Sequence, residues 1–312
     1  MALTEFGLIT RYFAAPQFAV TPGCGVVLGI GDDAAILRPP PDQDLVVSID
    51  TLVAGVHFPP AMAPEHIGHR ALAVNLSDLA AMGANPLWFT LALTLPQADE
   101  AWLDDFSRGL AALAQRFAIA LVGGDTTRGP LSITVQVHGS VTRGMALRRD
   151  GARPGDEVYV SGVPGSAALG LQRVLAGHGS EDALARVFLN PEPRIALGLR
   201  LRGIASAAID VSDGLLADAG HIATRSGVRI VLASERLPLC AVSESQSALD
   251  LCLAGGDDYE LCFTASPVQR GTIAGIASAL GLRCTRIGAV LQGEGVECDG
   301  HRAARGYQHF GG

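Results

Sequence analysis

Short apolar runs rich in Val, Ile and Leu alternate along the chain with longer Ala- and Leu-rich stretches whose apolar residues recur at helical spacing. Strands and amphipathic helices in alternation can bury their apolar sides only in an α/β or α+β body. Strands are expected over 45–49, 87–95, 118–122 and 131–141, and helices over 65–82 and 99–117. The first helix opens after Pro64 with Glu65 in its first turn and stops at Gly83, where Asn85-Pro86 prevents its continuation. After Arg148-Arg149 the segment 150–156 is rich in turn residues, and a strand resumes over 157–161. That break predicts two domains, 1–148 and 149–312, and 312 residues suffice for a core in each. The second is expected to contain helices over 166–176, 194–202, 215–226 and 268–280, with strands over 228–232, 259–264 and 283–290.

The chain has no lysine; all 23 residues counted as Lys plus Arg are arginine. A Walker A loop and a protein-kinase nucleotide site both place a lysine on the phosphates, so neither is present. A nucleoside triphosphate would have to be met by metal ions, arginines and backbone N–H groups. The net charge of −8 and the scattered arginines argue against a nucleic-acid partner. The six cysteines form no C-x-x-C pair and sit in apolar surroundings, which suits reduced thiols. With Glu5 and Arg11 in its first residues the N-terminus does not read as a signal peptide, and the longest apolar segment, 87–95, is too short to span a membrane. A cytoplasmic protein without a membrane partner is expected.

Chemistry shows first in Gly29-Ile30-Gly31-Asp32-Asp33-Ala34. The glycine spacing imitates a dinucleotide fingerprint, but two adjacent carboxylates would face the pyrophosphate and Pro39 arrives too soon for a long helix. A divalent cation between carboxylates and phosphates removes that conflict; a turn capped by its own Asp explains the segment equally well. Four further segments share the character: Ser48-Ile49-Asp50 at the end of a strand, Asn75-Leu76-Ser77-Asp78 in an apolar helix, Gly123-Gly124-Asp125-Thr126 after a strand, and Asp210-Val211-Ser212-Asp213-Gly214 at a strand-to-helix turn. Singly, Asp125 and Asp213 read as helix caps. Asp78 does not, because a carboxylate among Leu76, Leu79 and Met82 needs a partner, and without lysine that partner is an arginine or a metal. Acids converging from distant segments suit phosphoryl transfer assisted by several metal ions.

Taken in order, Gly29 to Ala35, Ser48 to Phe58, Asn75 to Ala84, Gly123 to Pro130, Asp210 to Leu215 and Gly255 to Phe263, with the closing Gly306 to Phe310, resemble the thiamine-monophosphate kinases over nearly the whole chain. The resemblance implies an aminoimidazole ribonucleotide synthetase-like fold, with an N-terminal domain that forms a β-barrel with its twin in a homodimer and a C-terminal α/β domain that completes the substrate site. It implies transfer of the γ-phosphoryl of ATP to thiamine monophosphate with several Mg²⁺ ions. By position, Asp33, Ser48, Asp50, Asp78, Asp125, Asp210 and Asp213 are implied as metal ligands. Gly124, Asp125, Arg149 and Ser212 are implied as ATP contacts, and His57, Asp257 and Tyr307 as thiamine-phosphate contacts. No general base is expected, since a phosphate monoester is already an anionic nucleophile at neutral pH. The alternatives are another ATP-dependent enzyme of the same fold group and a non-catalytic nucleotide and metal sensor.

Overall fold

The computed structural model of the chain describes residues 5–18, 23–242, 247–299 and 301–302. They fall into two compact units, Met1–Leu79 with Ala84–Gly144, and Ala80–Gly83 with Met145–Gly312.

In the first unit, a two-stranded ribbon of β1 (Val26–Leu28) and β2 (Ile36–Leu37) precedes a four-stranded sheet of β3 (Gln43–Val53), β4 (Asn85–Leu95), β5 (Ala120–Arg128) and β6 (Ser132–Thr142). The order across that sheet is β3-β6-β4-β5, with β4 and β5 parallel and the other pairs antiparallel. Helix α1 is the short turn Glu5–Leu8, and the long helices are α2 (Pro64–Ala81) and α3 (Glu100–Arg116). Asp99 caps α3 by accepting from the Ala101 and Trp102 N–H groups at 3.0 and 3.2 Å. The two long helices approach closely because both supply a glycine at the crossing: a Cβ on Gly68 would lie 2.1 Å from the Phe106 carbonyl oxygen, and one on Gly109 1.9 Å from that of Glu65. That closeness buries Ile67, Leu72, Leu76 and Leu79 together with Leu103, Phe106 and Leu110.

Two strands run further than expected, and both changes fall on site residues. Ser48 and Asp50 lie within β3, not at its end, because β3 pairs with β6 along its whole length. Asp125 lies within β5 and not in a loop after it, since pairing with β4 continues through Gly123, Gly124 and Asp125 to Arg128.

β3 also has an unusual burial pattern. Val46, Ser48, Asp50 and Leu52 are partly or fully buried, whereas Leu45, Val47 and Ile49 on the opposite face are 42%, 50% and 57% exposed. The apolar face of this strand is the open one.

The second unit is a seven-stranded sheet of β7 (Glu157–Ser161), β8 (Ala205–Val211), β9 (Arg229–Leu232), β10 (Glu260–Ala265), β11 (Cys284–Leu291), β12 (Gly295–Cys298) and β13 (His301–Arg302). Its order is β13-β12-β9-β11-β7-β10-β8, and only the β12–β9 pair is parallel. The helices are α4 (Ser166–Leu175), α5 (Ala183–Leu189), α6 (Ile195–Leu201), α7 (Leu215–Ser226), α8 (Ala248–Ala254) and α9 (Arg270–Leu280). α7 lays Leu215, Leu216, Ala219 and Ile222 on a core shared with Val158, Val160, Ile209, Val211, Ile230 and Ile287. Among the described residues no helix is long and apolar enough to cross a membrane.

Candidate active site

In the first unit the inward face of β3 meets α2 at three polar residues. The Ser48 hydroxyl donates to Asp78 Oδ2 at 2.6 Å, and Asp50 shares a hydrogen bond with Asp78. Burial and the neighbouring Asp78 carboxylate push Asp50 up to about 6, so near neutrality the pair strains to hold two negative charges at close range. Three oxygen-bearing side chains around such a charge fit a hard divalent cation, and nothing in the group offers the nitrogen or sulfur that zinc prefers. The buried Asn75, one helical turn before Asp78, leaves its Oδ1 without a protein partner, a further acceptor in the same helix. Because the proton on Asp50 must leave when a cation enters, cation affinity should fall about tenfold per pH unit as pH drops below about 6. Calorimetric titration with Mg²⁺ in two buffers of different ionisation heat measures the released proton directly.

The other residues of this unit lie apart from that group. Asp33 is exposed in the turn between β1 and β2, where its N–H donates to Asp32 Oδ1 at 2.8 Å. Asp32 therefore performs the local turn-capping job. Asp125 is exposed on β5. The sheet register runs Asp50, Val135, Leu91, Gly124 in one row and Thr51, Thr134, Ala92, Asp125 in the next. Asp50 and Asp125 thus sit on the two outer strands, about 14 Å apart at the usual strand spacing. Gly124 has a backbone reason of its own, since a Cβ there would stand 1.9 Å from the Leu91 carbonyl oxygen and break the β4–β5 pairing. His57 Nδ1 accepts from the Val53 N–H at 2.9 Å, which leaves the proton of the neutral ring on Nε2 and ties the histidine to the turn after β3.

In the second unit, β8 delivers the buried Asp210 and then the Ser212-Asp213 turn into α7. Asp218, in the first turn of α7, accepts from the Ser212 and Asp213 N–H groups, both at 3.0 Å, and so fixes that turn. Burial pushes Asp218 up to about 7, against the pull of those two amides and the Arg149 charge. Ligand atoms of Asp213, Asp218 and His221 lie within 4.8 Å of one another. Asp218 was missed in the sequence, although it carries the same signal as Asp78: an acid on the apolar face of a helix, here beside Leu215, Ala219 and Ile222. Arg149 is exposed, with its carbonyl accepting from the Ser226 hydroxyl at 2.8 Å. Arg148, by contrast, is engaged by Asp150. Asp257 lies against the same turn, its N–H donating to the Ser212 carbonyl at 2.7 Å. Tyr307 lies outside the described residues.

Comparison with known proteins gives this arrangement a family. Residues 31–141 match the N-terminal domain of AIR synthase related proteins and residues 153–300 their C-terminal domain. The chain is 49% identical to the thiamine-monophosphate kinase of Escherichia coli strain K12, over 99% of both chains. The crystal structure of thiamine-monophosphate kinase from Stenotrophomonas maltophilia K279a superposes with a TM-score of 0.88 at 49% identity, covering 97% of this chain and 99% of that one. A structure of AaThiL complexed with AMPPCP and TMP superposes with a TM-score of 0.79 at 33% identity, covering 99% of this chain and 97% of the other.

Proposed function

The chain belongs to the thiamine-monophosphate kinase family of AIR synthase related proteins, and on that premise we propose that it converts thiamine monophosphate and ATP to thiamine diphosphate and ADP. The observation that carries this reading is the match at 49% identity across 99% of the chain. The relative complexed with AMPPCP and TMP supports ATP and thiamine monophosphate as the substrate pair.

In the proposed reaction an oxygen of the thiamine monophosphate phosphate attacks the γ-phosphorus of ATP, the bond to the β-phosphate oxygen breaks, and ADP leaves in line. The barrier is repulsion between polyanions, roughly 4 kcal/mol per pair of unit charges about 4 Å apart at an effective dielectric of 20. Mg²⁺, when bound, supplies the neutralising charge. Ser48, Asp50 and Asp78 would hold it in the first unit and Asp210 and Asp213 in the second, with Asp33 and Asp125 adding ligands. Ser212 and Gly124 would lend backbone and hydroxyl groups to ATP, and the exposed Arg149 its planar fork. Asp218 keeps the Ser212-Asp213 turn in shape for that contact. The engagement of His57 Nδ1 with the Val53 amide supports a role in orienting the substrate and not in carrying a proton. Asp257 and Tyr307 would meet the cationic thiazolium end.

The working form is proposed to be a homodimer that closes a β-barrel. Leu45, Val47 and Ile49 form an apolar face that a second copy would cover, and among the described residues neither β3 nor β5 has a partner on its outer side. Joining the β5 edge of one copy to the β3 edge of the other would also bring the partner's Asp125 towards Asp50. The cytoplasm is the compartment that suits six free thiols.

The test is product formation from ATP with thiamine monophosphate, free thiamine or aminoimidazole-pathway ribonucleotides as acceptor. Thiamine diphosphate from the monophosphate alone is the expected outcome. Turnover of a ribonucleotide would move the chain to a cyclase function, and nucleotide binding without any turnover would make it a sensor.

A further inference from the structure

The loop that leads into β10 holds two non-glycine residues in the left-handed backbone region, Asp257 at φ 65° and Tyr259 at φ 53°. A carboxylate tolerates that region at some cost, an aromatic residue poorly, and neither stays there unless its surroundings over-determine it. Here they do. The Asp257 N–H donates to the Ser212 carbonyl at 2.7 Å and the Tyr259 N–H to the Val211 carbonyl at 2.8 Å, lacing the loop to the end of β8. Between them the buried Asp258 reaches to α4, its two carboxylate oxygens accepting from the Gly165 and Ala167 N–H groups at 2.7 and 3.0 Å. The loop is therefore held from two sides, and a further contact joins two of its own side chains. The Tyr259 hydroxyl donates to Asp257 Oδ1 at 2.8 Å.

We infer that Tyr259 is a positioning residue for Asp257: its hydroxyl fixes the direction of the carboxylate that receives the cationic heteroaromatic end of the substrate, within a loop pinned by Asp258. The inference rests on the proposed reading of Asp257 as a thiamine-phosphate contact. An aspartate on an ordinary loop would have to lose rotamer freedom when substrate arrives, weakening binding. A tyrosine held by its backbone bond to Val211 removes that freedom in advance, as a site supported by its surroundings requires. Phenylalanine could fill the same volume, so the hydroxyl is the informative atom.

The test is steady-state kinetics of the full chain carrying Tyr259→Phe, Asp257→Asn or both, with each substrate varied in turn. Tyr259→Phe should raise KM for thiamine monophosphate about tenfold and leave kcat and KM for ATP within about twofold. Its melting temperature should match the parent, since the ring remains. Asp257→Asn should raise the same KM, and the double variant should add little to it, the signature of two groups acting as one. A raised KM in Asp257→Asn with none in Tyr259→Phe, or fully additive effects, would overturn the positioning role while the substrate contact stands. An unchanged KM in Asp257→Asn would remove the contact itself and the inference with it. A fall in kcat and melting temperature together in Tyr259→Phe would mark the hydroxyl as structural and equally end the inference.

Discussion

Asp50→Asn should abolish phosphoryl transfer and at the same time make the metal-free protein harder to unfold. The first effect follows from the loss of a charged ligand next to Asp78: kcat/KM is expected to fall by about a thousandfold or more, at least about 4 kcal/mol of transition-state stabilisation. The second follows from the price of holding two acids together. Burial and Asp78 push Asp50 up to about 6, above its range in an unfolded chain. A carboxylate raised in this way costs stability at every pH above its folded value, and the cost disappears as pH falls below the unfolded value near 4. The shift corresponds to about 3 kcal/mol near neutrality, as an order of magnitude. An amide of the same shape can donate to Asp78 without adding charge, so at pH 8 in EDTA the melting temperature should rise by roughly 5–10 °C. At pH 4 only a small part of the gain should remain. Thermal melts at the two pH values, run beside the activity assay, check both halves. A destabilised variant at pH 8, or one that keeps its activity, would contradict the role given to this pair.

Mixing two dead variants should restore activity. Within one copy, Asp50 on β3 and Asp125 on β5 occupy opposite edges of the four-stranded sheet. If the barrel closes by joining those edges across a homodimer, each site takes Asp50 from one copy and Asp125 from the other. Asp50→Asn and Asp125→Asn would each be inactive alone. Equal amounts, unfolded together and refolded, would form mixed dimers as half of the population, each with one intact site of two, so about a quarter of parental activity should return. Each variant refolded alone sets the baseline. Recovery at the level of that baseline, with mixed dimers present, would mean that both acids serve the same copy's site and that the edge-to-edge barrel is wrong.

Much of the architecture can be read from the chain because long elements display their periods. The helix expected over 65–82 is found as Pro64–Ala81, that over 215–226 as Leu215–Ser226, and the strand over 157–161 as Glu157–Ser161. Short elements are silent. α5 (Ala183–Leu189) and α8 (Ala248–Ala254) span only two turns each, too few for a period to show, and they are defined by the caps Asp182 and Ser247. The extension of β5 was hidden for a different reason. Paired glycines usually signal a turn, but Gly124 is required by the close approach of Leu91, a contact with a strand distant in sequence. Asp50 showed only as one more acid-bearing segment, whereas Asp78 stood out because an acid in an apolar setting demands a partner. The Asp218 carboxylate carried the same signal yet hid inside a segment already explained as the first turn of a helix. β3 defeats the alternation rule outright: Leu45, Val47 and Ile49 form its more apolar side, which by pattern alone belongs in the core, and they face outward.

That outward face also bears on how the protein is made. A newly synthesised copy carries exposed Leu45, Val47 and Ile49 on a strand whose outer edge has no partner among the described residues, the kind of surface that templates disordered aggregation. Productive encounter between copies rises with concentration, but so does every unproductive one. Yield from an expression host should therefore depend on synthesis rate and temperature more steeply than the well-packed interior of either unit would suggest, with slow, cool production favouring soluble protein.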